Sequence, residues 1–295
     1  MARFEGIIPA LTTPFTADDE IDVAALKENV EALIDAGVHG FVATGTMGEA
    51  GSLTREERTL VVRSVVEAAA GRVPVTVGVS SGSARQSLEY AADGKAAGAQ
   101  YVMSLPPLGY RADEDEVVAF YAELATCGLP VMAYNNPEAS GVDLPASTVA
   151  RIYAEVEGVV AVKECSGDTR RIPALLHLEG DLEVIVGGDD WALEGFAAGA
   201  PAWITGAGVL APRECVELYD AVRNNDLATA REVYRRLLPV ARFDMTSKLV
   251  QFFKAGQDAV GLTGGPTRAP RLPLKPHEVE ALDAALAILR EPVAA

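Results

Sequence analysis

Lys163 is the residue of this sequence whose surroundings best suit it to do chemistry. The chain has six lysines, and Lys163 alone closes an apolar run, Val159-Val160-Ala161-Val162-Lys163; Lys27, Lys95, Lys248, Lys254 and Lys275 fall on helical or loop patterns. An ammonium short of water is disfavoured in its charged form, which lowers its pKa and exposes a nucleophilic amine. Such an amine, meeting a carbonyl, forms an imine that acts as an electron sink. The competing reading is a structural ion pair with Glu164. Tyr134 ends the preceding apolar run, Val131-Met132-Ala133-Tyr134. Neighbouring strands lie about 4.8 Å apart, so its phenol would reach the chemistry at Lys163 and move protons there; the plain alternative is a packed core tyrosine.

Three glycine-bearing segments follow other apolar runs. In Gly45-Thr46-Met47-Gly48-Glu49, two glycines let the backbone turn its N–H groups inward as a cradle for a carboxylate, or simply make a turn, with Glu49 bracing the loop. Gly187-Gly188-Asp189-Asp190 allows close backbone approach to a ligand, or provides a helix cap. Gly206-Ala207-Gly208-Val209-Leu210-Ala211 formally matches a dinucleotide fingerprint. It lies in the last strand–helix unit, with no further parallel strand to complete a nucleotide fold, so no cofactor is expected. Trp191, Trp203 and Phe196 read as packing aromatics.

The elements that must position these residues are legible as a repeat. Apolar runs over 6–14, 40–45, 73–79, 101–105, 130–135, 159–163, 182–187 and 202–206 alternate with helical-period stretches. They show little in/out alternation, as parallel strands covered on both faces do. Helix starts are marked by Asp22, by Thr54 with Glu57 at capping-box distance, and by Ser83, Asp113, Pro145 and Pro212. Eight such units predict an α/β fold, a (β/α)8 TIM barrel over 1–224. A helical region over 225–295 follows, with helices over 226–238, 244–256 and 276–290. In such a barrel, functional groups lie at the C-terminal ends of the strands.

Composition narrows the partners. The formal charge of the 295 residues is -17 and the pI about 4.6, a surface that repels nucleic acid and anionic lipid. Any anion site must therefore be local, built from backbone N–H groups or a buried cation. Three cysteines without C-x-x-C spacing and three scattered histidines (His39, His177, His277) favour neither a disulfide framework nor a metal site. The N-terminal Met1-Ala2-Arg3-Phe4 lacks a basic-then-apolar leader and no apolar run reaches membrane length, so a cytoplasmic protein without membrane contact is expected.

Taken together, Thr12-Thr13-Pro14-Phe15, Gly45-Thr46-Met47-Gly48-Glu49, Tyr134-Asn135-Asn136-Pro137, Val162-Lys163-Glu164 and Pro270-Arg271-Leu272-Pro273-Leu274 resemble the dihydrodipicolinate synthase/N-acetylneuraminate lyase family in order and spacing. The resemblance implies a barrel with a C-terminal helical region, usually a homotetramer of two dimers, and class I aldolase-type chemistry on a small 2-keto acid or cyclic imine. It implies Lys163 as the Schiff-base residue and Tyr134 as the proton shuttle. Thr46 and the Met47 backbone would hold the keto-acid carboxylate, with Gly188 and Ile204 lining the site.

Departures from the synthases of that family bear on the substrate. They carry a second threonine where Met47 stands, paired tyrosines where Pro107 and Leu108 stand, and an arginine where Ala139 stands. That arginine grips the carboxylate of the aldehyde substrate, and alanine cannot replace a guanidinium clamp. Segments such as Val162-Lys163-Glu164-Cys165-Ser166, Gly188-Asp189-Asp190 and Arg242-Phe243-Asp244 resemble instead the branch of deaminases of bacterial hydroxyproline breakdown. Those act on 1-pyrroline-4-hydroxy-2-carboxylate. In that reading Tyr110 contacts the C4 hydroxyl or packs in its loop. A 2-keto-3-deoxy sugar acid or N-acetylneuraminate-type aldolase or dehydratase is the nearest alternative. A 4-hydroxy-tetrahydrodipicolinate synthase and a non-catalytic keto-acid-binding protein complete the set.

Overall fold

The apolar runs fold as eight short strands: β1 (Gly6–Pro9), β2 (Phe41–Ala43), β3 (Val75–Gly78), β4 (Tyr101–Ser104), β5 (Val131–Asn135), β6 (Val159–Glu164), β7 (Glu183–Val186) and β8 (Ala202–Thr205). The computed structural model describes residues 4–291; the first three residues of the N-terminal segment and 292–295 of the C-terminal region lie outside the described residues. All strand pairs are parallel, in the order β1-β8-β7-β6-β5-β4-β3-β2. A parallel bridge between Ala10 and Val42 closes the ring, supported by Leu11 N–H donating to the Val42 carbonyl at 2.9 Å. The result is a (β/α)8 barrel. β1 stops at Pro9, short of the predicted 14, because Thr12 and Thr13 spend their hydroxyls on Gln257 Oε1 (2.7 Å) and the Gly48 carbonyl (2.8 Å) and turn the chain away from the sheet.

Twelve helices complete the described chain: α1 (Val23–Asp35), α2 (Arg55–Ala69), α3 (Ala84–Ala96), α4 (Glu114–Ala125), α5 (Pro137–Ser140), α6 (Ala146–Glu155), α7 (Arg171–Leu176), α8 (Ala192–Ala197), α9 (Pro212–Arg223), α10 (Leu227–Ala241), α11 (Leu249–Ala259) and α12 (Pro276–Leu289). The caps read from the sequence are formed. Thr54 and Glu57 make a reciprocal box at α2, as Asp113 and Glu116 do at α4, and Asp22 and Ser83 accept backbone N–H groups at α1 and α3. None of these helices is long and apolar enough to cross a membrane.

Two C-terminal boundaries differ from the sequence reading. α10 carries Pro239 inside its last turn and runs on to Ala241, since a proline this near the end removes a single backbone bond. The helix expected over 244–256 is a 3-10 turn, Arg242–Met245, then an extended Thr246, then α11. The Thr246 hydroxyl donates back to the Phe243 carbonyl at 2.8 Å and fixes the break. Buried side chains of the strands form one continuous apolar cluster with Leu237, Phe253 and Leu286, so the C-terminal helices share the barrel's core.

Candidate active site

One irregularity in the sheet decides which residues meet. Between β5 and β6 the pairing steps from Val131↔Val159 to Met132↔Ala161, leaving Val160 as an extra residue. A one-residue slip exchanges the two faces of a strand. After the bulge, Tyr134 stands directly beside Lys163 and Asn135 beside Glu164. Lys163 and Tyr134 thus share the barrel-facing side and line a cavity of about 80 Å³ at the C-terminal strand ends. Glu164 and Asn135 point the other way. The Glu164 carboxylate accepts Asn135 Nδ2 at 2.8 Å and Ser166 N–H at 2.6 Å. These bonds leave Glu164 committed elsewhere, and the Lys163–Glu164 ion pair is not formed.

Lys163 is 7% exposed, its Nζ lying 4.1 Å from the centre of the Tyr134 ring. Gly187 makes room for it: a Cβ there would lie 2.9 Å from Lys163 Cε and 2.6 Å from the Glu164 carbonyl oxygen. Asn136 Nδ2 donates to Tyr134 Oη at 3.1 Å and reaches Cys165 Sγ at 3.8 Å, and Cys165 donates to the Gly187 carbonyl at 3.2 Å.

The charge state of Lys163 departs from the sequence expectation. Burial pulls its ammonium toward the neutral form, and the neighbouring Tyr134, Cys165 and Asp244 pull the other way and leave its pKa raised. Burial pushes the Tyr134 phenol up and the Cys165 thiol up to about 12. Of these three neighbours, Asp244 is the carboxyl whose charge acts on the ammonium. Asp244 itself is raised to about 6, by burial first, with Lys163 and the Asp189 backbone pulling the other way.

The other predicted residues separate into three groups. Thr46, Met47 and Ile204 line the same cavity as Lys163 and Tyr134. The amides of Thr46, Met47 and Gly48 make no hydrogen bond among the described residues, whereas those of Glu49 and Ala50 close back on the Thr46 and Gly45 carbonyls. Of these three residues, Thr46 and Met47 line the cavity. Gly188 is outside the cavity lining, its Cα facing the Trp191 indole, which a Cβ would meet at 2.1 Å. Tyr110 is 49% exposed on the loop after β4 and does not line the cavity either.

The Gly206–Gly208 segment is spoken for. Asp189 accepts the N–H groups of Gly206 (3.3 Å) and Ala207 (2.6 Å) and the Trp203 indole (3.0 Å), while Thr205 Oγ1 accepts Gly208 N–H at 3.1 Å. The amides that a pyrophosphate would need are bonded within the protein.

The loop that carries Thr46 and Met47 is clamped from the C-terminal region. Glu49, fully buried, pairs with Lys254 at 2.7 Å and Arg271 at 3.4 Å and accepts Arg268 N–H at 3.1 Å. Lys254, 1% exposed, also donates to the Pro266 carbonyl at 2.7 Å. The loop is entered and left through left-handed backbone at Thr44 (φ 54°) and Glu49 (φ 53°). Non-glycine residues hold that conformation only when their surroundings impose it.

With this geometry in view, the comparisons with known proteins are decisive on lineage. The sequence pattern of the dihydrodipicolinate synthetase family matches residues 3–289. The chain belongs to that family. The 4-hydroxy-tetrahydrodipicolinate synthase of Hyphomonas neptunium is 35% identical over 289 residues, covering 97% of this chain and 98% of the relative. An uncharacterized DapA-like lyase of Rhizobium meliloti is 34% identical over 273 residues, 92% of this chain and 91% of the relative. Among solved structures, YagE, a prophage protein of the dihydrodipicolinic acid synthase family from E. coli K12 in complex with pyruvate, superposes with a TM-score of 0.92 at 27% identity. It covers 98% of this chain and 99% of that one. Members of the dihydrodipicolinate synthetase family are lyases and aldolases of the class I type, which makes this chain an enzyme.

The sequence pattern singles out Gly187 for close approach to a ligand but gives no cavity role to Asn136, Cys165 or Asp244. Asn136 and Gly187 stand at strand ends, where position offered a signal. Asp244 offers none, because the helical pattern places it at the start of a helix over 244–256.

Proposed function

We propose that this family member is a Schiff-base lyase whose substrate is 1-pyrroline-4-hydroxy-2-carboxylate, converted with water into 2-oxoglutarate semialdehyde and ammonia. The observation that carries the reading is the charge inventory of the cavity around Lys163: one cation, Lys163, lines it with two carboxylates, Glu138 and Asp244, while Arg58 and Arg271 line the adjoining cavity beyond Thr46 and Tyr134. A substrate bringing a second carboxylate would meet repulsion there, and Ala139 offers it no guanidinium. A ring-opened intermediate bearing an amine, by contrast, finds counter-charges in place.

The chemistry follows from the residues. Lys163 adds to C2 and displaces the ring nitrogen, leaving an iminium on Nζ and a free amine on C5. The iminium acidifies C3, and Tyr134, poised beside Nζ and held by Asn136, moves the proton. The free amides of Thr46 and Met47 receive the C1 carboxylate. Loss of the C4 hydroxyl and hydrolysis of both imines complete the reaction. The pyruvate bound by YagE supports a 2-keto acid at this position. The relatives named as synthases share 31–35% identity, a level that supports the reaction type more than the substrate. A dimer of dimers, testable by light scattering, belongs to the same reading.

A single coupled assay separates the alternatives. The purified protein is offered the pyrroline and, separately, 2-keto-3-deoxy sugar acids, with ammonia and pyruvate measured. Ammonia from the pyrroline supports the proposal; pyruvate from a sugar acid, with no ammonia, replaces it by an aldolase.

A further inference from the structure

The reaction proposed above needs more proton transfers than Lys163 and Tyr134 supply. A C4 hydroxyl leaves readily only as water, and the double bonds must then migrate toward C5 before ammonia is released. Asp244 is the acidic side chain outside the barrel strands that enters the cavity from the C-terminal region, on the 3-10 turn Arg242–Met245 between α10 and α11. It is half-buried, and its neighbours Met245 and Leu249 line the cavity with it. Tyr134 at the end of β5, Lys163 at the end of β6, Cys165 just beyond it and Asp189 and Asp190 after β7 are titratable groups that act on it or feel its charge, and Glu138 lines the same cavity. The extended Thr246 that interrupts the helix is what turns this residue toward the cavity instead of continuing a helix.

Resting on that reading of the reaction, we infer that Asp244 is a catalytic acid–base residue acting at C4 and C5, the end of the substrate remote from Lys163. In the acid form it gives its proton to the C4 oxygen as the C4–O bond breaks. The electron pair of the C2–C3 enamine forms the C3–C4 double bond, the iminium on Lys163 is restored, and water departs. The resulting carboxylate then takes a proton from C5. The C5–H electrons form the C4–C5 double bond, and C3 regains the proton that Tyr134 had removed. Asp244 ends as it began, and the C5 enamine, protonated at C4 from solvent, hydrolyses to the aldehyde and ammonia. No oxidant or reductant is involved. A near-neutral carboxyl is suited to giving and taking a proton in one cycle, and burial together with Asp190 raises this one toward that range.

The test uses Asp244→Asn, which keeps the shape of the side chain. Each protein is incubated with pyruvate or with 1-pyrroline-4-hydroxy-2-carboxylate, reduced with borohydride, and examined by mass spectrometry. The variant should still form the pyruvate adduct on Lys163, at a rate altered by loss of the neighbouring carboxylate, which also shows that it is folded. With the pyrroline, it should release ammonia ~10²–10⁴-fold more slowly and accumulate an adduct that keeps its hydroxyl, heavier by one water than the eliminated species. Ammonia release at the parental rate, or an adduct already lacking the hydroxyl, overturns the role of Asp244. So does loss of pyruvate trapping in the variant, unless Asp244→Glu restores both trapping and turnover. A parent that traps pyruvate but ignores the pyrroline overturns the substrate and this inference with it, and a parent that traps neither overturns the Schiff-base reading itself.

Discussion

Lys254→Met removes the cation that anchors the 45–49 loop, and its cost follows from what stays behind. Lys254 and Glu49 are 1% and 0% exposed and 2.7 Å apart. Removing one member of a buried pair costs about 3–5 kcal/mol because the other charge is left uncompensated. Here Glu49 retains Arg271 at 3.4 Å and the Arg268 N–H at 3.1 Å, which places the expectation at the lower end of that range, about 3 kcal/mol. At roughly 2–4 °C per kcal/mol for a chain of this size, the Tm should fall by about 6–12 °C. Glu49→Gln with Lys254→Met should recover part of the loss, since a neutral amide no longer needs the cation and still accepts Arg268 N–H. Because the loop presents Thr46 and Met47, the single variant should also raise KM for the keto acid more than it lowers kcat. Calorimetry and steady-state kinetics on the two variants check this. A melting point within a degree or two of the parent, with KM unchanged, would refute the claim that the C-terminal region holds the loop through this pair.

Three further outcomes are expected. Gly187→Ala puts a Cβ 2.9 Å from Lys163 Cε; overpacking of about 1–3 kcal/mol and a displaced amine should cut kcat by ~10², read by kinetics, with circular dichroism unchanged. Tyr134→Phe should slow imine formation by ~10²–10⁴ in a stopped-flow trapping series; full activity in that variant would move the proton shuttle elsewhere. The pH dependence has a defined sign. Asp244 holds its proton up to about 6 in the folded protein, against roughly 3.9 in an unfolded chain. The stability it contributes is thus present at low pH and lost as pH rises through about 6. The kcat/KM for the pyrroline should fall over that same rise as the acid form disappears, and the limb should flatten in Asp244→Asn. A profile that climbs through this region would assign Asp244 as a base alone.

Much of the site was legible in the sequence because a parallel barrel converts strand ends into a ring. The position of Lys163 and Tyr134 at consecutive strand ends suffices to predict that they are neighbours. What the apolar pattern could not reveal is the bulge at Val160, which puts the two side by side in register and sends Glu164 away from the lysine. The charge state of Lys163 was misjudged for a related reason. Burial is visible in the apolar run, but Asp244 lies 81 positions further along the chain, on a 3-10 turn where helical periodicity places the start of a helix. Lys254 escaped notice similarly, since its partner Glu49 is local only in three dimensions. The departure at Ala139 gains its meaning from Glu138 beside it, which lines the cavity mouth with negative charge.

Catalysis of the proposed kind depends above all on the amine of Lys163 reaching a carbonyl carbon within the barrel. Borohydride reduction of the folded protein in the presence of pyruvate, followed by peptide mapping, tests this directly. The prediction is one pyruvate-derived adduct per chain, located at Lys163 and absent from Lys163→Ala. An unmodified Lys163 in the intact parent protein, or an adduct placed on another lysine, would contradict it.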